Sequence, residues 1–154
     1  MNILITGVAG FIGCNLAMRL LQEGHMVCGI DNLAYGLKEN VPEGVKLYRM
    51  DIRDREICPV FKGIDAVFHL AAKNCIADCQ DNPVETSDIN VCGTVNVFEA
   101  AKRAGVPKVI YAESSALYEG AKTYPTPENE ESPESFYAIS KLATKFFADA
   151  YHRY

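Results

Sequence analysis

The chain has 154 residues, 49% of them hydrophobic, which suits one soluble globular domain with a single core. Its 20 acidic residues outnumber 15 basic ones, for a net charge of -5, so the basic stripe that phosphate-backbone binding needs is absent and nucleic acid is not an expected partner. Met1 runs almost directly into Ile3-Leu4-Ile5 without a basic leader, and no apolar run reaches membrane-span length; a cytoplasmic, membrane-free protein is expected.

Short apolar runs alternate with longer amphipathic ones along the chain, a pattern that predicts β-α-β units and a parallel sheet, hence the α/β class. Strand one is expected at 2–6, followed by a glycine-rich turn and a helix over 11–23 that Gly24 ends. Strands two and three are expected at 26–30 and 46–49, with Asp54 as the N-cap of a short helix. The apolar run 66–70 predicts a strand buried on both faces. Val91, Val95 and Phe98 recur at helical spacing and predict a helix over 88–104, stopped by Gly105 and Pro107. Strand five follows at 109–112, then a proline- and glutamate-rich exposed loop over 120–135 and a final amphipathic helix from Ser135. The six cysteines contain no C-x-x-C pair and are expected to be reduced, mostly buried thiols; no metal site is expected.

Residues 6–13 read Thr6-Gly7-Val8-Ala9-Gly10-Phe11-Ile12-Gly13, a T-G-x-x-G-x-x-G between a strand and a helix. Glycines there allow a tight turn and close backbone approach to a pyrophosphate, which the positive end of the helix dipole also favours. Asp31 stands about twenty residues further on, after strand two, where a carboxylate accepts hydrogen bonds from ribose hydroxyls and repels a 2'-phosphate. The pair favours NAD over NADP. A second pattern, Tyr137-Ala138-Ile139-Ser140-Lys141, places a phenol and an ammonium one helical turn apart on a common face. A tyrosine phenol, ordinarily titrating near about 10, becomes a usable base where nearby positive charge favours its anion.

These motifs come in order with Tyr111-Ala112-Glu113-Ser114-Ser115-Ala116-Leu117-Tyr118 after strand five, with Asp31-Asn32-Leu33 and Gly36, Asp51-Ile52-Arg53-Asp54, His69-Leu70-Ala71-Ala72, and Asn90-Val91-Cys92-Gly93-Thr94. Together they resemble the extended short-chain dehydrogenase/reductase family, the NAD-dependent epimerase/dehydratase group, over the whole chain, and most of all the N-terminal part of its UDP-glucose 4-epimerase branch. The resemblance implies a Rossmann-type doubly wound parallel sheet in three α-β-α layers. It implies that Gly7, Gly10, Phe11, Ile12 and Gly13 meet the pyrophosphate and that Asp31, Asn32, Leu33 and Gly36 wrap the adenosine. Asp51 and Ile52 would contact adenine, Leu70, Ala71 and Ala72 would pass the pyrophosphate and nicotinamide ribose, and Asn90 matches the family's N-V-x-G-T asparagine. Ser114 takes the place of the catalytic Ser/Thr, with Ser115 as the alternative; Tyr137 is the implied base and Lys141 the catalytic cation that holds the nicotinamide ribose and lowers the tyrosine pKa, and the resemblance sets both against the cofactor.

Dehydratases of the group carry Asp-Glu after the catalytic threonine, whereas Ser115-Ala116 follow here, and Glu113 is expected on the opposite side of the strand pleat. The resemblance therefore implies a nucleotide-sugar 4-epimerase acting on a UDP-hexose, with a sugar reductase or dehydrogenase, a dehydratase, or a non-catalytic NAD-binding module as alternatives. It also implies a homodimer built from the helices at 88–104 and 135 onward. Three positions depart from the family pattern: Phe136 where proline is usual, Glu119 in place of glycine, and Lys145 where glutamate is frequent. Family members run to about twice this length, so the whole chain, 1–154, is read as the NAD-binding domain, truncated before the substrate-binding part.

Overall fold

The computed structural model describes all residues, Met1–Tyr154. The chain divides into two compact units: Met1–Ala72 with Asn96–Ala112, and Lys73–Val95 with Glu113–Tyr154. The first contains every strand: β1 (Asn2–Thr6), β2 (Met26–Asp31), β3 (Lys46–Arg49), β4 (Ala66–His69) and β5 (Val109–Tyr111). They form one parallel sheet in the order β3-β2-β1-β4-β5. Ile5 at its centre lies opposite Gly29 on one side and Phe68 on the other. Residues 3–6 of β1 are all buried, because a central parallel strand is covered on both faces. β3 is an edge strand, and its exposed Lys46 lays its ammonium over the Tyr48 ring.

Helix α1 (Phe11–Gln22) turns Ala17 and Leu20 into a core with Ile3, Ile5, Val8 and Val27. Gly24, at φ 81, closes it, and the amide of His25 donates to the Leu20 carbonyl, a glycine stop of the expected kind. A 3₁₀ turn follows β3 at Arg55–Phe61. Asp54 occupies its N-cap position without capping it; the carboxylate accepts instead from the Asp51 amide. The strand order reverses between β1 and β4, and in such sheets ligands bind beyond the carboxyl ends of the strands at that reversal.

The second unit is helical. Two short helices, α2 (Ile76–Asp81) and α3 (Pro83–Ser87), were not expected; α3 runs through a π-helical turn, Asp88–Gly93, into α4 (Thr94–Ala104), which enters the first unit at Asn96. The helix read at 88–104 thus begins earlier, at Asn82-Pro83. The Asn82 side chain accepts from the Glu85 amide and Pro83 sits in the first turn, where its missing N–H costs nothing. Val84 and Ile76 are exposed, so neither short helix carries the apolar stripe that periodicity detects. A 3₁₀ turn, Ser115–Tyr118, also went unforeseen, and the loop after it contains no helix or strand. Helix α5 (Phe136–Arg153) starts as expected, with Ser135 as its cap, and packs on α2, α3 and the π turn. The cysteines need correction: all six are free, but only Cys79 is buried, and Cys75 and Cys92 are exposed.

Candidate functional site

In the first unit the glycine-rich turn is shaped by contacts that leave no room for a side chain. Gly7 has φ 74, its amide donates to the Ile30 carbonyl, and a Cβ there would come within 2.8 Å of the Ala71 nitrogen. A Cβ on Gly13 would lie 2.2 Å from the Gly7 carbonyl oxygen, well inside van der Waals contact. Gly10 stands at the N-cap of α1 with no side chain capping the helix, so the first-turn amides at Phe11 and Ile12 meet no protein cap. A concave backbone, uncapped amides and the positive end of a helix fit a diphosphate.

The turn is braced from the side. One oxygen of Asp31 accepts from the Ala9 amide at 2.9 Å and the other from the Leu33 amide at 2.8 Å, holding Leu33 at φ 62. Each oxygen keeps a second acceptor site for a ribose hydroxyl. Gly36 lies against Ala9, so the 31–36 segment and the glycine turn form one rim. Asn32 donates its amide to Asp51, whose carboxylate also takes the Arg53 guanidinium and backbone amide. Ile52 is buried, and its carbonyl accepts from the Asn96 side chain. On the other side, Leu70 and Ala71 donate their amides to the Thr6 carbonyl and hydroxyl, and Thr6 meets the buried His69 ring at 2.6 Å. Gly7, Asp31, Leu33, Gly36, Asp51, Leu70 and Ala71 are therefore tied to one another beyond the carboxyl ends of β1 to β4, and Ala72 follows Ala71 in the chain.

Arg53 is the main cause holding the Asp51 carboxyl well below the usual carboxylate range, and Asn32 adds to it. A depressed folded pKa contributes stability that is complete above the unfolded value of about 3.9 and lost as pH falls below it. Asp51→Asn is expected to cost about 1 to 2 kcal/mol at neutral pH and progressively less below pH about 4, read from urea unfolding across pH. A difference that grows on acidification would contradict the clamp.

In the second unit Asn90 is held by protein partners on both ends of its side-chain amide, with one acceptor site on its carbonyl oxygen still open. Its carbonyl accepts from the Lys73 amide at 2.8 Å, and its amide donates to the Lys73 carbonyl and to the Ser140 hydroxyl at 3.0 Å. Ser140 in turn donates to the Tyr137 carbonyl. The asparagine thus brackets the start of the 73–95 segment and fixes the rotation of α5, on which Tyr137 and Lys141 sit one turn apart. Lys73, which the sequence reading did not single out, is buried and paired with Glu85.

Ser114 places its hydroxyl at the N-cap of the 115–118 turn, accepting from the Ala116 amide at 3.1 Å; Ser115 is exposed. Tyr137 is half-buried and Lys141 buried. Desolvation lowers the Lys141 pKa, opposed by the negative charge of Glu113. Glu113 also accepts from the Thr144 hydroxyl. Because β5 ends at Tyr111, Glu113 lies beyond the strand and its pleat, and its carboxylate faces Thr144 and Lys141 of α5. No sequence motif announced that contact.

Residues 3–154 match the NAD dependent epimerase/dehydratase family, and the chain belongs to it. It is 36% identical over 160 residues to a UDP-glucose 4-epimerase of Mycolicibacterium smegmatis, covering 98% of this chain and 51% of that protein. Among solved structures, the UDP-glucose 4-epimerase of Thermotoga maritima with UDP-glucose superposes with a TM-score of 0.96 at 34% identity, over 99% of this chain and 52% of that one. The UDP-glucose 4-epimerase of Thermus thermophilus, in complex with NAD, gives 0.92 at 34% identity, over 99% and 51%. The chain spans about half the length of the curated relatives it matches. No helix is long and apolar enough to cross a membrane.

Proposed function

We propose that the chain is the N-terminal, NAD-binding portion of a nucleotide-sugar 4-epimerase that interconverts UDP-hexoses. The observation that carries the reading is the presence of Ser114, Tyr137 and Lys141 in a chain whose glycine turn and Asp31 fit NAD, with no carboxylate after Ser114 to drive dehydration. The amides at Gly7, Gly10, Phe11, Ile12 and Gly13 would hold the pyrophosphate; Asp31, Asn32, Leu33 and Gly36 the adenosine; Asp51 and Ile52 the adenine; and Leu70, Ala71 and Ala72 the segment toward the nicotinamide ribose. Asn90 sets α5 through Lys73 and Ser140 and keeps one acceptor site on its carbonyl oxygen for the cofactor.

Bound NAD supplies a reversible hydride acceptor for the sugar C4. Tyr137 takes the proton of the C4 hydroxyl and later returns it, while Ser114 hydrogen-bonds the same oxygen. Lys141 holds the nicotinamide ribose, and its ammonium stabilises negative charge developing on the Tyr137 oxygen. Exposed Ile139, Phe146 and Phe147 on α5 support a homodimer formed through α4 and α5, and six free thiols suit a cytoplasmic, reducing setting.

The test is the full-length protein assayed with UDP-hexose pairs and both dinucleotides. Interconversion of one pair is expected, with NAD bound at least about tenfold more tightly than NADP because Asp31 repels a 2'-phosphate. Failure to interconvert any pair would sink the epimerase reading; equal affinity for the two cofactors would remove Asp31 from the adenosine site.

A further inference from the structure

Glu119 lies outside every motif assigned above and stands where the family pattern has glycine, yet its carboxylate is among the most heavily engaged in the second unit. One oxygen accepts from the Glu134 amide at 3.1 Å and the Ser135 amide at 2.8 Å; the other accepts from the Ser135 hydroxyl at 2.9 Å. Ser135 is the cap of α5: its hydroxyl accepts from the Ala138 amide and its carbonyl from the Ile139 amide. The Phe136 amide goes to the Gln80 side chain at 2.7 Å. Most donors at the start of α5 are therefore taken by side chains, and Glu119 holds the cap itself. Partial desolvation works against its ionisation, but the hydrogen bonds from Ser135 and Glu134 outweigh that and keep its pKa below the ordinary value.

Glu119 also closes the 115–118 turn that Ser114 opens. Ser114 caps that turn at one end, Glu119 is its C-terminal cap at the other, and the Glu119 amide donates to the Ala116 carbonyl. Just beyond it, the Gly120 amide donates to the Ser132 carbonyl and the Ser132 amide to the Leu117 carbonyl, drawing 117–120 alongside 132–135. One carboxylate thus joins the turn that presents the hydroxyl of Ser114 to the first turn of the helix that presents the phenol of Tyr137.

We propose that Glu119 is a positioning residue, fixing Tyr137 relative to Ser114 by tying the cap of α5 to the end of the Ser114 turn. The proposal rests on the epimerase reading and adds a residue that touches neither cofactor nor sugar. A glycine at 119 could not make these bonds, and a displacement of about 1 Å between two groups that share one substrate oxygen is enough to slow a reaction up to about a hundredfold.

The test compares Glu119→Ala, Glu119→Gln and Lys145→Ala with the parent in the full-length protein. Lys145 pairs with Glu131 further along α5 and serves as the control for simple loosening. Glu119→Ala is expected to lower kcat for UDP-hexose interconversion about tenfold, with KM and NAD affinity within about twofold of the parent. Glu119→Gln, whose amide oxygen still accepts from the Ser135 and Glu134 amides but whose NH2 cannot accept from the Ser135 hydroxyl, is expected to recover only part of that loss, leaving kcat about two- to fivefold below the parent, and Lys145→Ala to keep kcat within about twofold. If Glu119→Ala does not fold, Glu119→Gln decides: a two- to fivefold fall in kcat at constant KM supports positioning, and an unchanged kcat overturns it. Equal losses in Glu119→Ala and Lys145→Ala, or an unchanged kcat in Glu119→Ala, overturn it as well. An active parent with an unaffected Glu119→Ala rejects the positioning role alone, whereas an inactive parent rejects the epimerase reading together with the role built on it.

Discussion

Replacing Tyr137 with phenylalanine is expected to lower the rate of UDP-hexose interconversion by about 10²–10⁴-fold while leaving NAD affinity within about twofold, the range general acid–base groups supply. The substitution removes one oxygen and little else. The Tyr137 backbone carbonyl keeps its bond from Ser140, the cap at Ser135 is untouched, and Ala138 and Ser140 remain buried, so the helix keeps its seat. The side chain is half-buried, and the ring that stays behind fills the same space. What is lost is the only phenol one turn before Lys141. Two measurements on one preparation separate binding from chemistry: kcat from interconversion of the two sugars, and the NAD dissociation constant by titration. Retention of more than about a tenth of the parent rate would show that another group takes the C4 proton. Loss of NAD binding instead would place the hydroxyl in the cofactor site.

The strands were readable because each carries its own evidence. Residues 3–5 and 66–68 are short continuous apolar runs, of strand rather than helix length and consistent with a parallel strand covered on both faces, and the glycines at 7, 10 and 13 punctuate the step from strand to helix. The helix at Pro83–Ser87 had a legible start in Asn82-Pro83 but no buried stripe beyond Thr86, so a periodicity argument passed over it. The π turn at Asp88–Gly93 has no compositional signature, and the bonds that Asn90 makes from it, to Lys73 and Ser140, reach partners 17 and 50 residues away. Glu119 and Lys145 were visible only as departures from a pattern. Their meaning depends on Ser135 and Glu131, which the loop brings to them, and such contacts follow from tertiary structure rather than from local spacing. Asp54 shows the converse: local grammar marked a cap, and a nearer donor at Asp51 took the side chain.

Among the glycines, Gly13→Ala is expected to have the largest effect, abolishing measurable NAD binding and costing about 2 to 4 kcal/mol of stability. The added methyl would sit 2.2 Å from the Gly7 carbonyl oxygen and 2.8 Å from the Val8 Cα, both parts of the backbone that forms the phosphate turn. Neither can yield by a rotamer change. Gly7 is pinned by its amide bond to Ile30 and by the approach of Ala71, and Val8 is fully buried in the core. Relief therefore requires the turn to open, which separates the amides that would hold the pyrophosphate. Gly24→Ala supplies the comparison. That glycine lies in the left-handed region, at φ 81, which alanine enters only with strain, but nothing lies within 4 Å of the added methyl, so the cost is backbone strain alone, about 1 kcal/mol, with NAD affinity unchanged. Urea midpoints give the stability difference, and NAD titration of whatever folds gives the binding difference. A Gly13→Ala protein that binds NAD as the parent does would mean that the turn does not cradle the diphosphate; equal NAD losses in both variants would attribute the effect to general loosening of the first unit rather than to the closed geometry at Gly7 and Gly13.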